Sequence, residues 1–137
     1  MPTSLRASPG AVEELLRYFS VVTLQGRNAT RNVVLGGAEI AEGEVVALGF
    51  AAANHDETAF PDPERCLLER TPNRHVAFGF GPHICLGAHV ARLELVVMLE
   101  LVGERVRELA LAPDEEPRWH STGSVRGLAT LPVLARR

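Results

Sequence analysis

Residues Phe78-Gly79-Phe80-Gly81-Pro82-His83-Ile84-Cys85-Leu86-Gly87 concentrate most of the chemistry the sequence can offer. Gly79 and Gly81 permit tight backbone turns and the close approach of something flat and bulky, and Pro82 stiffens the loop. Cys85 falls just ahead of a helical pattern, where backbone N–H groups and the helix dipole favour an anionic sulfur. Gly87 removes a side chain where the helix would otherwise collide with a ligand held by that sulfur. A preorganised thiolate in a glycine-lined, apolar loop suits a metal or a metal-bearing cofactor. A zinc site or interaction module drawing on His75, His83, Cys85 and His89 is the rival reading, since nitrogen and sulfur ligands lie close in sequence. The single thiolate and the H-x7-H-x-C-x3-H spacing rank it below the cofactor.

The elements that must position this loop are legible on both sides of it. Ser8-Pro9 reads as a helix start, and Val12, Leu15, Leu16 and Phe19 follow at helical spacing. Between them, Glu14 and Arg17 form an i,i+3 pair. From Val21 onward, Val, Leu and Thr punctuated by glycines predict short strands near 21–24, 32–35, 38–40 and 44–50, with one helical turn at 51–54. Residues 55–82 carry four prolines (Pro61, Pro63, Pro72 and Pro82) and no sustained period, which marks a long functional loop. Ala88 to Val106 predicts a long helix whose Val90, Leu93, Val97 and Leu101 belong to the core. The tail predicts short β-pieces near 124–125 and 131–134, and Trp119 and His120 carry no signal.

Composition bounds the rest. The chain has 137 residues, 46% of them hydrophobic and 23% charged, enough for one packed domain. A net charge of −3 and 5% aromatics argue against nucleic acid as a partner. Two cysteines, Cys66 and Cys85, suit a reducing, cytoplasmic compartment. Met1 to Arg6 holds no apolar signal core, and Leu93 to Val102 is interrupted by Glu94 and Glu100 and too short for a bilayer, so no membrane association is expected.

Phe78 to Gly87 closely resembles the haem-thiolate signature of the cytochrome P450 family, soluble bacterial type. Glu14-Leu15-Leu16-Arg17 resembles the family's Glu-x-x-Arg helix. Arg65, within Phe60-Pro61-Asp62-Pro63-Glu64-Arg65, resembles the arginine of the segment called the meander. The resemblance covers nearly the whole chain and implies a mixed fold, mainly α with small antiparallel β-elements. That is the C-terminal part of the family fold, with residues 1–137 forming a haem-binding portion. Cys85 would be the axial thiolate of haem iron, which favours O–O cleavage. His83 and Arg27 would meet haem propionates, Phe78 and Gly79 would line the porphyrin and sulfur, and Gly87 and Ala91 would let the helix lie close to the ring. Glu14, Arg17 and Arg65 would form a buried structural triad. Arg74, His89 and Arg92 would surround the loop on the face where the family docks a ferredoxin- or flavin-type electron donor.

The family inserts one oxygen atom into a small organic substrate. Nothing here resembles its long distal helix with an acid–alcohol pair, so the resemblance implies a haem-ligating segment rather than a competent catalyst. A truncated non-catalytic remnant and one half of a split enzyme are the alternatives. Either implies exposed apolar surface, with poor solubility or oligomerisation.

Overall fold

The computed structural model describes residues 8–121 and 123–137; the Met1–Arg6 segment read for a signal core lies outside the described residues. Helix α1 spans Pro9–Phe19 and starts as the sequence predicts, with Ser8 Oγ accepting the Ala11 N–H at 3.2 Å and proline in the first turn. It ends at Ser20, whose backbone is left-handed and whose N–H donates to the Leu16 carbonyl. Strands β1 (Gln25–Asn28) and β4 (Val45–Leu48) pair antiparallel, with Arg27 opposite Val46. Between them β2 (Val33–Leu35) and β3 (Ala38–Ile40) form a hairpin. Its turn, Gly36-Gly37, has φ of 57° and 85°, the pair of positive angles that a two-residue hairpin loop requires. Helix α2 (Phe50–Asn54) is the single turn expected, and the stretch from His55 to Phe80 holds no helix or strand.

Helix α3 (Ala88–Arg105) follows the cysteine loop. Beyond it, β5 (Glu108–Leu111) pairs with β8 (Val133–Arg136), and β6 (Arg118–Ser121) pairs with β7 (Arg126–Thr130) across a bulge at Arg118/Trp119. The expected strand at 21–24 is instead one bridge, Val22 to Val125, flanked by bonds from Thr23 N–H to the Ser124 carbonyl and from Arg126 N–H to the Val21 carbonyl. That stretch therefore joins the segment after α1 to the tail hairpin. No described helix is long and apolar enough to cross a membrane.

The most deeply buried side chains are not the expected ones. Arg17, Glu14, Val12 and Asn54 are fully buried, and the other buried apolar residues are Ala11, Phe60 and Ala88. Val90, Leu93, Val97 and Leu101, expected in the core, are 39–63% exposed. The reason lies in how α3 docks. Its N-terminal end meets α1, where Ala88 is buried and Arg92 reaches Glu13. Farther along, the apolar side chains line an open groove of about 880 Å³, formed by Leu93, Val97, Met98, Leu101 and Val102 with Ala135 at its edge.

Candidate functional site

The cysteine loop is shaped by its backbone. Gly79 and Gly81 have φ of 75° and 72°, a region costly for any residue with a Cβ. Residues Gly81–His83 make one 3₁₀ turn, and Ile84 N–H closes it on the Gly81 carbonyl. Cys85 N–H donates to the Phe78 carbonyl at 2.8 Å, which fastens the two ends of the loop together. Ala88 N–H then donates to the Cys85 carbonyl and Ala91 N–H to the Gly87 carbonyl, so α3 grows directly out of the loop. Cys85 is a free, exposed cysteine. A Cβ on Gly87 would stand 3.9 Å from its sulfur, in van der Waals contact, so the helix start lies directly beside the thiol.

The apolar side chains of the same loop are open to solvent: Phe80 is 86% exposed, Ile84 59% and Leu86 99%. His83 is exposed beside them and Ala91 is half-buried on the first turn of α3. Phe78 is half-buried, with the Arg92 guanidinium 4.8 Å above its ring and the His75 ring 6.4 Å away. Arg27 lies on exposed strand β1, where its guanidinium donates to the Gly26 carbonyl at 2.8 Å; no hydrogen bond or ion pair joins it to the loop. The zinc reading finds no support: among the described residues no three His, Cys, Asp or Glu side chains come together to hold a metal ion. Nor is Arg92 free for the basic patch. Both its Nε and Nη2 bond the Glu13 carboxylate, leaving Arg74, His83 and His89 as the exposed basic residues near the loop.

The buried ion cluster differs from the expected triad in one member. Glu14 accepts from Arg17 Nε and Nη2, both at 2.9 Å, from Leu67 N–H at 2.8 Å and from Asn73 Nδ2 at 3.0 Å. Its second arginine is Arg70, whose Nε lies 3.1 Å from both carboxylate oxygens. Arg65 contributes only its carbonyl, which accepts from Arg17 and Arg70, while its side chain is 70% exposed beside Asp62. The turn closed by Arg65 N–H on the Asp62 carbonyl aims the carbonyl inward and the guanidinium out. Burial alone would raise the Glu14 pKa, but the bonds from Arg17, Leu67 and Arg70 outweigh it and bring it down to about 2. Arg70→Ala is therefore expected to cost about 3 kcal/mol, against less than about 0.5 kcal/mol for Arg65→Ala. Urea melts of the two variants check this order, and equal losses would restore Arg65 to the cluster.

Asn54, which the sequence marks only as the end of a helical turn, is the other hub. Its Nδ2 donates to Ser20 Oγ, its Oδ1 accepts from Val76 N–H, and its carbonyl accepts from Arg17 Nη1 at 2.7 Å. It thereby ties the end of α1 to the irregular segment that enters the cysteine loop.

An exposed cysteine in a glycine-framed loop thus stands at the head of a long helix. The cytochrome P450 family model matches residues 7–131. The chain belongs to the cytochrome P450 family, whose members carry haem iron and act as monooxygenases. It is 44% identical over 126 residues to a steroid C26-monooxygenase of Mycolicibacterium smegmatis, covering 92% of this chain and 31% of that protein. It is equally identical to the 20-oxo-5-O-mycaminosyltylactone 23-monooxygenase of Streptomyces fradiae, covering 91% and 30%. Among solved structures, P450 OxyD, involved in the biosynthesis of vancomycin-type antibiotics, superposes with a TM-score of 0.87 at 39% identity, over 93% of this chain and 32% of that one. The chain thus spans about 31% of the length of such a relative.

Proposed function

We propose that this chain supplies the proximal, sulfur-donating side of a haem-thiolate site, with Cys85 as the axial ligand and residues 1–137 as one C-terminal haem-binding portion. The observation that carries the reading is the open loop at Cys85: an exposed thiol with Gly87 beside it, and exposed Phe80, Ile84 and Leu86 in the same loop. The residues present fit such a group, because a macrocycle stacked there covers apolar surface that water now touches. Haem bound through a thiolate supplies dioxygen activation, the sulfur pushing electron density toward the iron.

The protein's own groups have separable tasks in this reading. Gly79 lets the loop turn, Phe78 fixes its near end through the bond to Cys85 N–H, and Gly87 and Ala91, lacking bulky side chains, would let α3 approach the cofactor. His83, exposed two residues ahead of the sulfur, would bond a propionate. Arg27, on exposed β1 with only its Nη1 engaged by the Gly26 carbonyl, would offer its remaining N–H groups to a second propionate. Exposed Arg74 and His89 lie on the face offered to a ferredoxin- or flavin-type electron donor, with Arg74 supplying positive charge. The intact reaction places one oxygen atom of dioxygen in a small organic substrate and releases the other as water, using two electrons from that donor and two protons. A cytoplasmic setting, where thiols stay reduced, is part of the same reading.

The test is an absorbance spectrum of the chain mixed with haemin, reduced and exposed to carbon monoxide. A red-shifted Soret band marks sulfur ligation. A spectrum identical to that of haemin alone would overturn the proposal for this chain.

A further inference from the structure

Glu13, His75 and Arg92 make a network that no part of the ligand reading uses. They come from α1, from the segment entering the cysteine loop and from α3. Arg92 Nε donates to Glu13 Oε1 at 2.6 Å and its Nη2 to Oε2 at 2.8 Å, a two-pronged pair. His75 Nε2 lies 3.0 Å from the same Oε2. On the other side of the ring, Ala77 N–H donates to His75 Nδ1 at 3.2 Å, which assigns the proton to Nε2 and makes it a donor to Glu13. Burial lowers the His75 pKa, more strongly than the Glu13 carboxylate raises it, so the neutral ring this pattern needs is the favoured form. The Arg92 bond lowers the Glu13 pKa against its partial burial.

These groups converge on Phe78. The Arg92 guanidinium carbon lies over the ring, 4.8 Å from its centroid, and the His75 ring stands 6.4 Å away on a tilt. The Phe78 carbonyl holds Cys85 N–H. Three chain segments are therefore locked together two bonds from the sulfur-bearing residue.

We propose that Glu13, His75 and Arg92 are positioning residues that fix the Cys85 loop by clamping Phe78, so that the sulfur is held in its ligating place before any cofactor arrives. The proposal rests on the Cys85 ligand reading for its functional meaning, but not for its geometry. Arg92→Lys keeps the charge and loses both the fork and the flat face over Phe78. Glu13→Gln keeps the size and removes the carboxylate.

The test begins with amide hydrogen exchange of the full chain without haem. In either variant, Cys85 N–H is expected to exchange about tenfold faster, the effect of losing one charge-assisted bond. Val106 N–H, bonded to the Val102 carbonyl at the far end of α3, is expected to keep its rate. Unchanged exchange at Cys85, or equal acceleration at both amides, would overturn the clamp, the second because it reports only global loss of stability. With haemin and carbon monoxide, the variants are expected to lose part of the sulfur-ligated band in favour of the unshifted one. Should the unsubstituted chain give no such band, the haem reading fails, and the exchange rates alone decide the clamp.

Discussion

A Cys85→Ala chain given haemin, reductant and carbon monoxide is expected to show no red-shifted Soret band, while a Cys66→Ala chain shows it in full. Both cysteines are free and exposed, so exposure does not choose between them. Their surroundings do. Cys66 adjoins the ion cluster, where partial burial of its sulfur, and after that the negative charge of Glu14, push its pKa up. That sulfur favours its neutral form, which is a poor metal ligand. Cys85 sits in a loop held open by Gly79, Gly81 and Gly87. Loss of the band in the Cys66 variant, or its survival in the Cys85 variant, would refute the assignment of the ligand.

Neutralising Glu14 is expected to be the most damaging single change to stability. Glu14→Gln leaves Arg17 fully buried with its charge unanswered, which costs roughly 3–5 kcal/mol. Domains are stable by about 5–15 kcal/mol, so the variant retains at best a fraction of its folded population margin. Replacing Glu14, Arg17 and Arg70 together by apolar residues of similar volume is expected to recover much of the loss, because the desolvation of all three charges disappears with them.

The same cluster sets an acid limit. An unfolded Glu14 titrates at its ordinary 4.5, the folded one near 2. Above pH 4.5 both forms are ionised and the bonds contribute fully. As pH falls below 4.5 the unfolded chain takes up a proton that the folded chain refuses, and stability drains away until pH 2. A shift of that size amounts to about 3 kcal/mol. Urea midpoints measured from pH 6 to pH 2 should fall steeply for the unsubstituted chain and far less for Glu14→Gln; parallel curves would show that another carboxylate governs acid unfolding.

Where local chemistry dictates local shape, the sequence was enough. Ser8-Pro9 could hardly do other than start α1, and the glycines around Pro82 demanded a tight loop ahead of α3. The family resemblance, built on Phe78 to Gly87 and on Glu14 with Arg17, agrees with the family match and with the superposed structures. What failed depended on long-range geometry. Residues 55–82 hold several charges without a period, so nothing local distinguishes Arg70, which turns inward, from Arg65, which turns out. Asn54 looks like the frayed end of a helical turn until Val76 and Ser20 arrive from elsewhere in the chain. Strand β1 contains Gly26 and Asn28, poor strand formers that read as a turn, and pairs only because β4 runs beside it. Strand β5 was likewise invisible, its residues exposed and without alternation, and so was β6, whose Arg118, Trp119 and His120 are exposed. The apolar run of α3 was read correctly as helix and wrongly as core, since periodicity reports which residues could be covered and not what lies against them.

The ionic centre of the fold and the bare hydrocarbon along α3 have a thermal consequence. Heat capacity rises on unfolding when apolar surface becomes wet, and falls when polar surface does. Here the leucines and valines of α3 are wet already, and much of what unfolding newly uncovers is carboxylate, guanidinium and amide. The increment per residue should then lie below the ordinary range of about 12–15 cal/mol/K. Enthalpy and entropy of unfolding then change less with temperature, and the stability curve is a broader, flatter dome. Cooling below its optimum should weaken this chain more gently than a domain with an oily centre.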